Sequence, residues 1–283
     1  MRRRALLASG SALLGSALAG CVGESGDGDG TTDAATTTST ETTAATTQTV
    51  QTTQFDVTLD VAMERHQPGV AVMGIDSVGV SSAGKQYLFY RVTVTDGDPP
   101  ARTDFGFRYG GQVYAPGVET AGMLWRAQET DDRYTADRGA GWLVFELPAQ
   151  RPARHAAFAL GSEEWPVSDA VRKRLSAPEP PLSVDWGLTD EQPADAVRLA
   201  FTVTNEGDLD TRFVAGLNGI LIEAAHAPVT AFNREVPAGE TVSWTHTHEG
   251  AGPYVASTEE ASDKHYHLEW TQGEGDLYVA RAE

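Results

Sequence analysis

Cysteine is nearly absent from this chain: the single one, Cys21, precedes all of its β-patterned sequence. No disulfide can cross-link residues 22–283, so any fold there rests on core burial alone. A copper site built on a thiolate is excluded from the same region. Lysine is scarce as well, with only Lys85, Lys173 and Lys264. In all, 21 Lys+Arg stand against 40 Asp+Glu, a formal net charge of −19. With no basic patch to neutralise phosphates, nucleic acid is excluded as a partner. Long hydrophobic runs are missing too. Ala5–Ala19 is only fifteen residues long, short of the ~20 apolar residues that a membrane-spanning helix needs.

What is present begins with Arg2-Arg3-Arg4, then that apolar run, then small residues and Cys21. This order predicts a cleavable export signal over residues 1–20. Leu18-Ala19-Gly20-Cys21 resembles the lipobox of secreted lipoproteins. The resemblance implies that Cys21 is lipidated and becomes the first mature residue, at the extracytoplasmic face of the membrane. One acyl chain holds a protein only marginally, so a doubly modified Cys21 is expected. Arg2-Arg3-Arg4-Ala5-Leu6-Leu7 resembles a twin-arginine signal, which implies export of a folded protein. Removing the leader leaves 18 basic against 40 acidic side chains, net −22. Such acid loading with little lysine resembles proteins of salt-loving archaea. At molar salt a Debye length of ~3 Å screens the self-repulsion.

Residues 21–54 hold thirteen threonines and almost no large apolar side chain, and read as a disordered stalk. From Phe55 the texture changes. Val57, Leu59, Val61 and Met63 alternate with polar residues, as do Leu88, Tyr90, Val92 and Val94. Period two, cut by Gly and Pro, predicts strands and a first antiparallel β-sandwich over 55–167. SDAVRKRLSA (168–177) predicts a short helix within a linker, 168–181, that ends in Pro178-Glu179-Pro180-Pro181. A second sandwich follows over 182–283. The fold class expected is therefore all-β, two tandem sandwiches after the stalk.

FTVTNEGDLDTRF (201–213) with VPAGETVSW (236–244) resembles the bacterial and archaeal cell-adhesion-related repeat, an immunoglobulin-like module. In the first block, FGFRYGGQVYAPG (105–117) and GAGWLVFELP (139–148) resemble the immunoglobulin-like domains of unknown function that follow lipoprotein leaders. Both resemblances imply a fold and an address, and neither implies an activity.

Few residues suggest chemistry. His246 and His248, and again His265 and His267, sit at i and i+2, so each pair shares a strand face. Four imidazoles would suit zinc or copper. Parity opposes their convergence: if Trp244 and Trp270 both point inward, the two pairs face opposite ways. Glu206, Asp208 and Asp210 have the spacing of the first calcium-loop ligands, without the closing glutamate. Ser81 in GVSSAG fails the nucleophile-elbow spacing. Trp125, Arg126 and Tyr134 are candidates for a ligand groove. No nucleophile–base pair emerges, so no enzyme and no cofactor are expected. The expected partners are the membrane, through the Cys21 lipid, and a surface or envelope protein. Two functions remain open: a non-catalytic interaction or adhesion module of a halophilic archaeon, or a small-ligand or metal-binding lipoprotein serving a transporter.

Overall fold

A β-strand begins at Thr47, inside the threonine-rich tract, and its first buried residue is Val50. The structure, a computed structural model, describes residues 47–117, 124, 132–221, 225–249, 252 and 254–281. The leader, Cys21, Trp125 and Arg126 lie outside the described residues. Strand β1 (Thr47–Thr52) buries Val50 and Thr52 and pairs antiparallel with β2 (Val57–Gln67), placing Val50 opposite Leu59. The first sandwich thus starts at Thr47, and the expected stalk boundary at residue 54 is corrected. Threonine is β-branched and favours a pleated strand once a partner is present. One valine in a polar tract is too weak a pattern to announce that strand. Val50→Ala is expected to cost about 1–2 kcal/mol, from roughly 0.8 kcal/mol per buried carbon removed. Urea titration checks it, and an unchanged midpoint would return β1 to the stalk.

Strands β3 (Val70–Met73) and β4 (Val78–Ser81) form a hairpin, followed by β5 (Lys85–Asp96). Then come β6 (Phe105–Tyr109), β7 (Gln112–Tyr114), β8 (Ala140–Pro148), β9 (Ala157–Leu160) and β10 (Glu163–Pro166). Two antiparallel sheets result, ordered β1-β2-β5-β8 and β10-β9-β6-β7. They share one core, in which Tyr90 of the first sheet lies 5.1 Å from Phe158 and 5.9 Å from Phe107 of the second. Strand β5 is buried on both faces. Leu88, Tyr90 and Val92 point into this core, while Tyr87 and Phe89 join Val70, Trp142 and Val144 on the outer side. That explains the unbroken apolar run Tyr87–Tyr90.

Helix α1 (Asp169–Ser176) begins at Ser168, whose hydroxyl accepts from the Val171 N–H at 3.3 Å, as an N-cap should. Its Leu175 is fully buried in the first core. The Leu175 carbonyl, left open at the helix C-terminus, accepts from the Tyr109 hydroxyl at 2.8 Å and from Gln86 Nε2 at 3.2 Å. The helix is therefore part of the first sandwich's packing. The prolines that follow are held as well, since Gln272 Nε2 donates to the Pro180 carbonyl at 2.7 Å.

The second sandwich contains β11 (Leu182–Leu188), β12 (Ala196–Asn205), β13 (Thr211–Leu221), β14 (Ala225–Val236) and β15 (Thr241–Glu249). It closes with β16 (Tyr254–Ala256), β17 (Lys264–Trp270) and β18 (Gly273–Arg281). Sheet β11-β12-β15 faces sheet β14-β13-β17-β18-β16. With short β16 set aside, the first, second and fifth strands face the third, fourth, sixth and seventh. That is an immunoglobulin-like partition, with the fourth strand moved across to the third. Phe201 stacks between Trp186 at 5.9 Å and Trp244 at 5.2 Å, with the rings nearly parallel. Strand β14 carries Pro228, which an edge strand tolerates.

The two sandwiches are clasped within one compact unit. The β3–β4 hairpin of the first lies on the outer face of β13. There the Val78 N–H donates to Asn218 Oδ1 at 2.8 Å, and Asn218 Nδ2 donates back to the Val78 carbonyl at 2.9 Å. Gly216 permits this approach: a Cβ there would sit 2.5 Å from the Val78 oxygen. Asn233 Nδ2 adds a hydrogen bond to Gln67 Oε1 at 2.9 Å.

Candidate ligand-binding site

The open side of the first sandwich, between edge strands β1 and β10, leads into a cleft of about 690 Å³. That volume lies in the range of small-molecule sites. Its apolar floor comes from Val50, Val61, Met63, Tyr90, Phe158 and Trp165, and Val171 of α1 forms one wall. The far rim is supplied by the second sandwich, through Leu209–Arg212 and Glu235. Arg65, Lys173, Arg174 and Arg212 line it against Glu64, Asp210 and Glu235. Cations thus outnumber anions here, in a chain with nearly twice as many acids as bases.

His66 sits in this lining in one defined state. Gln86 Nε2 is aimed at the carbonyls of Pro148, 3.0 Å away, and Leu175. This turns Gln86 Oε1 toward His66 Nε2, 2.7 Å away. An amide oxygen only accepts, so Nε2 carries the imidazole hydrogen. Nδ1 is then a bare acceptor, and it is buried with no partner among the described residues. Burial, and next the nearby Arg174 charge, push the His66 pKa down to about 4, so the ring is neutral at pH 7.

The Arg174 guanidinium makes no hydrogen bond or ion pair among the described residues. Burial holds its guanidinium below the usual range, with Asp210 and Glu179 acting in the opposite direction. Arg212 is better held: its Nε donates to Asn233 Oδ1 at 2.6 Å and its Nη1 lies 3.6 Å from Glu235. Arg65 stacks on Phe89 and Trp142, at 4.7 and 4.9 Å from the ring centres. The half-buried Arg174 is therefore the cation with charge to offer.

The residues singled out by sequence fall elsewhere. Tyr134 is 1 % exposed, packs edge-on to Phe105 at 4.9 Å and donates to the Pro100 carbonyl at 2.9 Å. It is a core residue, and burial raises its hydroxyl pKa to about 12; its assignment to a groove is corrected. The histidine pairs separate as parity anticipates. His246 and His248 share the inward side of β15 with Trp244, and the His248 ring bonds the Tyr266 hydroxyl through Nδ1 at 2.9 Å. His265 and His267 point outward from β17 in the opposite sheet, where His267 Nδ1 lies 2.9 Å from Asp276. The four-imidazole site is thereby corrected: the sheet core stands between the pairs. Among the described residues, no three His, Cys, Asp or Glu side chains come together to hold a metal. Asp210, of the candidate calcium loop, accepts the Ala238 N–H at 3.0 Å instead. No helix among the described residues is long and apolar enough to cross a membrane.

Lys264 is 8 % exposed, with its ammonium 4.9 Å over the Tyr266 ring and a pKa lowered by burial. No ion pair holds it among the described residues. Replacing a poorly compensated buried charge by an apolar chain of similar length removes a desolvation cost. Lys264→Met should therefore raise stability by about 1–2 kcal/mol in urea titration. A lower midpoint would show that the ammonium is well satisfied.

No family model matches the chain, and no curated protein matches it at a significant level. The functional reading rests on the cleft, which sequence reasoning missed. One signal pointed to it: Arg172-Lys173-Arg174 is a basic run holding one of only three lysines in a strongly acidic chain.

Proposed function

We propose that this chain is a non-catalytic, lipid-anchored binding protein of the extracytoplasmic membrane face, and that it captures a small ligand in the cleft between its sandwiches. The observation that carries this reading is the cleft itself: an apolar floor under a charged rim, with an unpaired Arg174 guanidinium and a His66 whose Nδ1 has no partner in the same lining. Such a combination characterises ligand sites. Both sandwiches contribute to the rim, which gives the tandem arrangement a purpose that a string of independent modules lacks. The lipobox-like Leu18–Cys21 and the twin-arginine-like start supply the address, and the acidic surface suits a halophilic archaeon.

Native mass spectrometry of the chain recovered from its own membranes tests the reading. One small molecule bound per chain, and lost on Trp165→Ala, is the expected result. A chain that carries no small molecule but co-purifies with one stoichiometric protein would overturn it. That outcome would favour the adhesion-module alternative, for which one feature speaks. The outer face of β12 and β15 carries a hydroxyl ladder, Thr202 with Ser243 at 3.1 Å and Thr204 with Thr241 at 2.8 Å.

A further inference from the structure

We infer that the cleft's ligand is an amphiphilic anion: a hydrocarbon chain bearing one carboxylate or phosphate head, with the head at Arg174 and His66. The inference rests on the small-ligand reading above and adds the chemical class.

Three features converge on it. Arg174 is a guanidinium without a partner among the described residues, half-buried at the rim. Its planar fork matches the two oxygens of a carboxylate or phosphate. Bringing an anion there would restore to Arg174 the compensation that burial removes. Beside it, His66 Nδ1 is a buried acceptor that lacks a hydrogen, a state that costs free energy until a donor arrives. An acid O–H on the head supplies that hydrogen, and a bare carboxylate binds together with one proton taken up at Nδ1. Lys173, exposed on the same helix, adds positive charge to the entrance.

About half of the lining is apolar. Val50, Val61, Met63, Phe158, Trp165 and Val171 continue the cleft as apolar surface. A free inorganic anion would leave that surface wet, whereas a neutral hydrocarbon would leave Arg174 and Nδ1 unanswered. Only a molecule with both parts satisfies both regions. The chain as a whole is strongly acidic, so an excess of cations in this lining is a local feature that favours an anionic head.

The test uses the full chain carrying Cys21→Ser, so that no detergent competes, with calorimetric titration of dodecanoate, dodecyl phosphate, dodecanol and inorganic phosphate below their micelle concentrations. One equivalent of dodecanoate or dodecyl phosphate should bind, and the tighter of the two names the head. Arg174→Gln should weaken both at least tenfold with no loss of melting temperature. Val171→Asp, which puts a charge in the chain's path, should abolish binding while leaving the head residues intact. Dodecanol binding as tightly as dodecanoate, or Arg174→Gln without effect, would overturn the inference. So would inorganic phosphate binding as well as its dodecyl ester, or displacement of dodecanoate by a peptide of residues 22–46, which would assign the groove to the chain's own acidic stalk. If dodecyl ligands fail while a polar solute raises the melting temperature in an Arg174-dependent way, the ligand class is wrong and the binding-protein reading stands. If no small molecule does so, both fall.

Discussion

Asn218→Ala should destabilise the protein by about 2–5 kcal/mol and split its unfolding into two transitions. Asn218 is 2 % exposed and Val78 is fully buried. The amide of the one satisfies both the N–H and the C=O of the other. Truncation leaves two backbone groups buried without partners, at roughly 1–3 kcal/mol each. The loss falls on the clasp between the sandwiches, so each core should then melt by itself. Gly216→Ala attacks the same contact sterically, because its Cβ would lie 2.5 Å from the Val78 oxygen, and should act in the same direction. Differential scanning calorimetry separates the cases. A single transition shifted by less than the equivalent of 1 kcal/mol would mean that the hairpin rests on β13 without holding it. Because the rim of the cleft comes from both sandwiches, the same variant should also weaken ligand capture.

Acidification from pH 6.5 to 5 should cost more stability than the surface carboxylates explain. His66 and His248 both have pKa values lowered from 6.5 to about 4, each by burial first. Arg174 adds to the effect at His66, and Lys264 with His246 at His248. Between those limits the unfolded chain binds protons at both positions that the folded chain refuses, and His246, lowered by burial as well, acts in the same direction, so stability falls as pH falls. Each histidine contributes a slope of about 1.4 kcal/mol per pH unit. The effect is absent above pH 6.5, where both states are neutral, and it stops growing near pH 4. His248→Gln retains an acceptor for the Tyr266 hydroxyl and should make the slope clearly shallower without abolishing it. Urea midpoints at pH 8, 6.5 and 5 decide the matter, and a flat profile between 6.5 and 5 would show that both rings charge freely in the folded state.

Much of the architecture was legible from period two alone. AVRLAFTVTN corresponds to β12 over its whole length, and the helix expected at 168–177 forms over Asp169–Ser176. Missed elements share a cause. The β1 segment contains one apolar residue, β14 is interrupted by Pro228, and the β3–β4 hairpin is short. Each is a strand by virtue of its partner. The similar segments RVTVTDGD and FTVTNEGD also diverge in space: Gly97 needs a positive φ of 85° and sits against Asp56, while Gly207 does not take that conformation. The candidate site was the least legible part. Its residues come from positions 48 to 235, and no local pattern relates His66 to Arg174.

By itself, then, the sequence determined an all-β chain without disulfides, the placement of most strands, and the opposed parity of the histidine pairs. These follow from local alternation, in which each side chain's direction depends on its neighbours two residues away. Tertiary structure alone decided that the sandwiches are clasped through Asn218, that Tyr134 is core, and that a cationic apolar cleft opens between β1 and β10. Those features depend on which distant residues come into contact, and on which buried polar atoms are left without a partner.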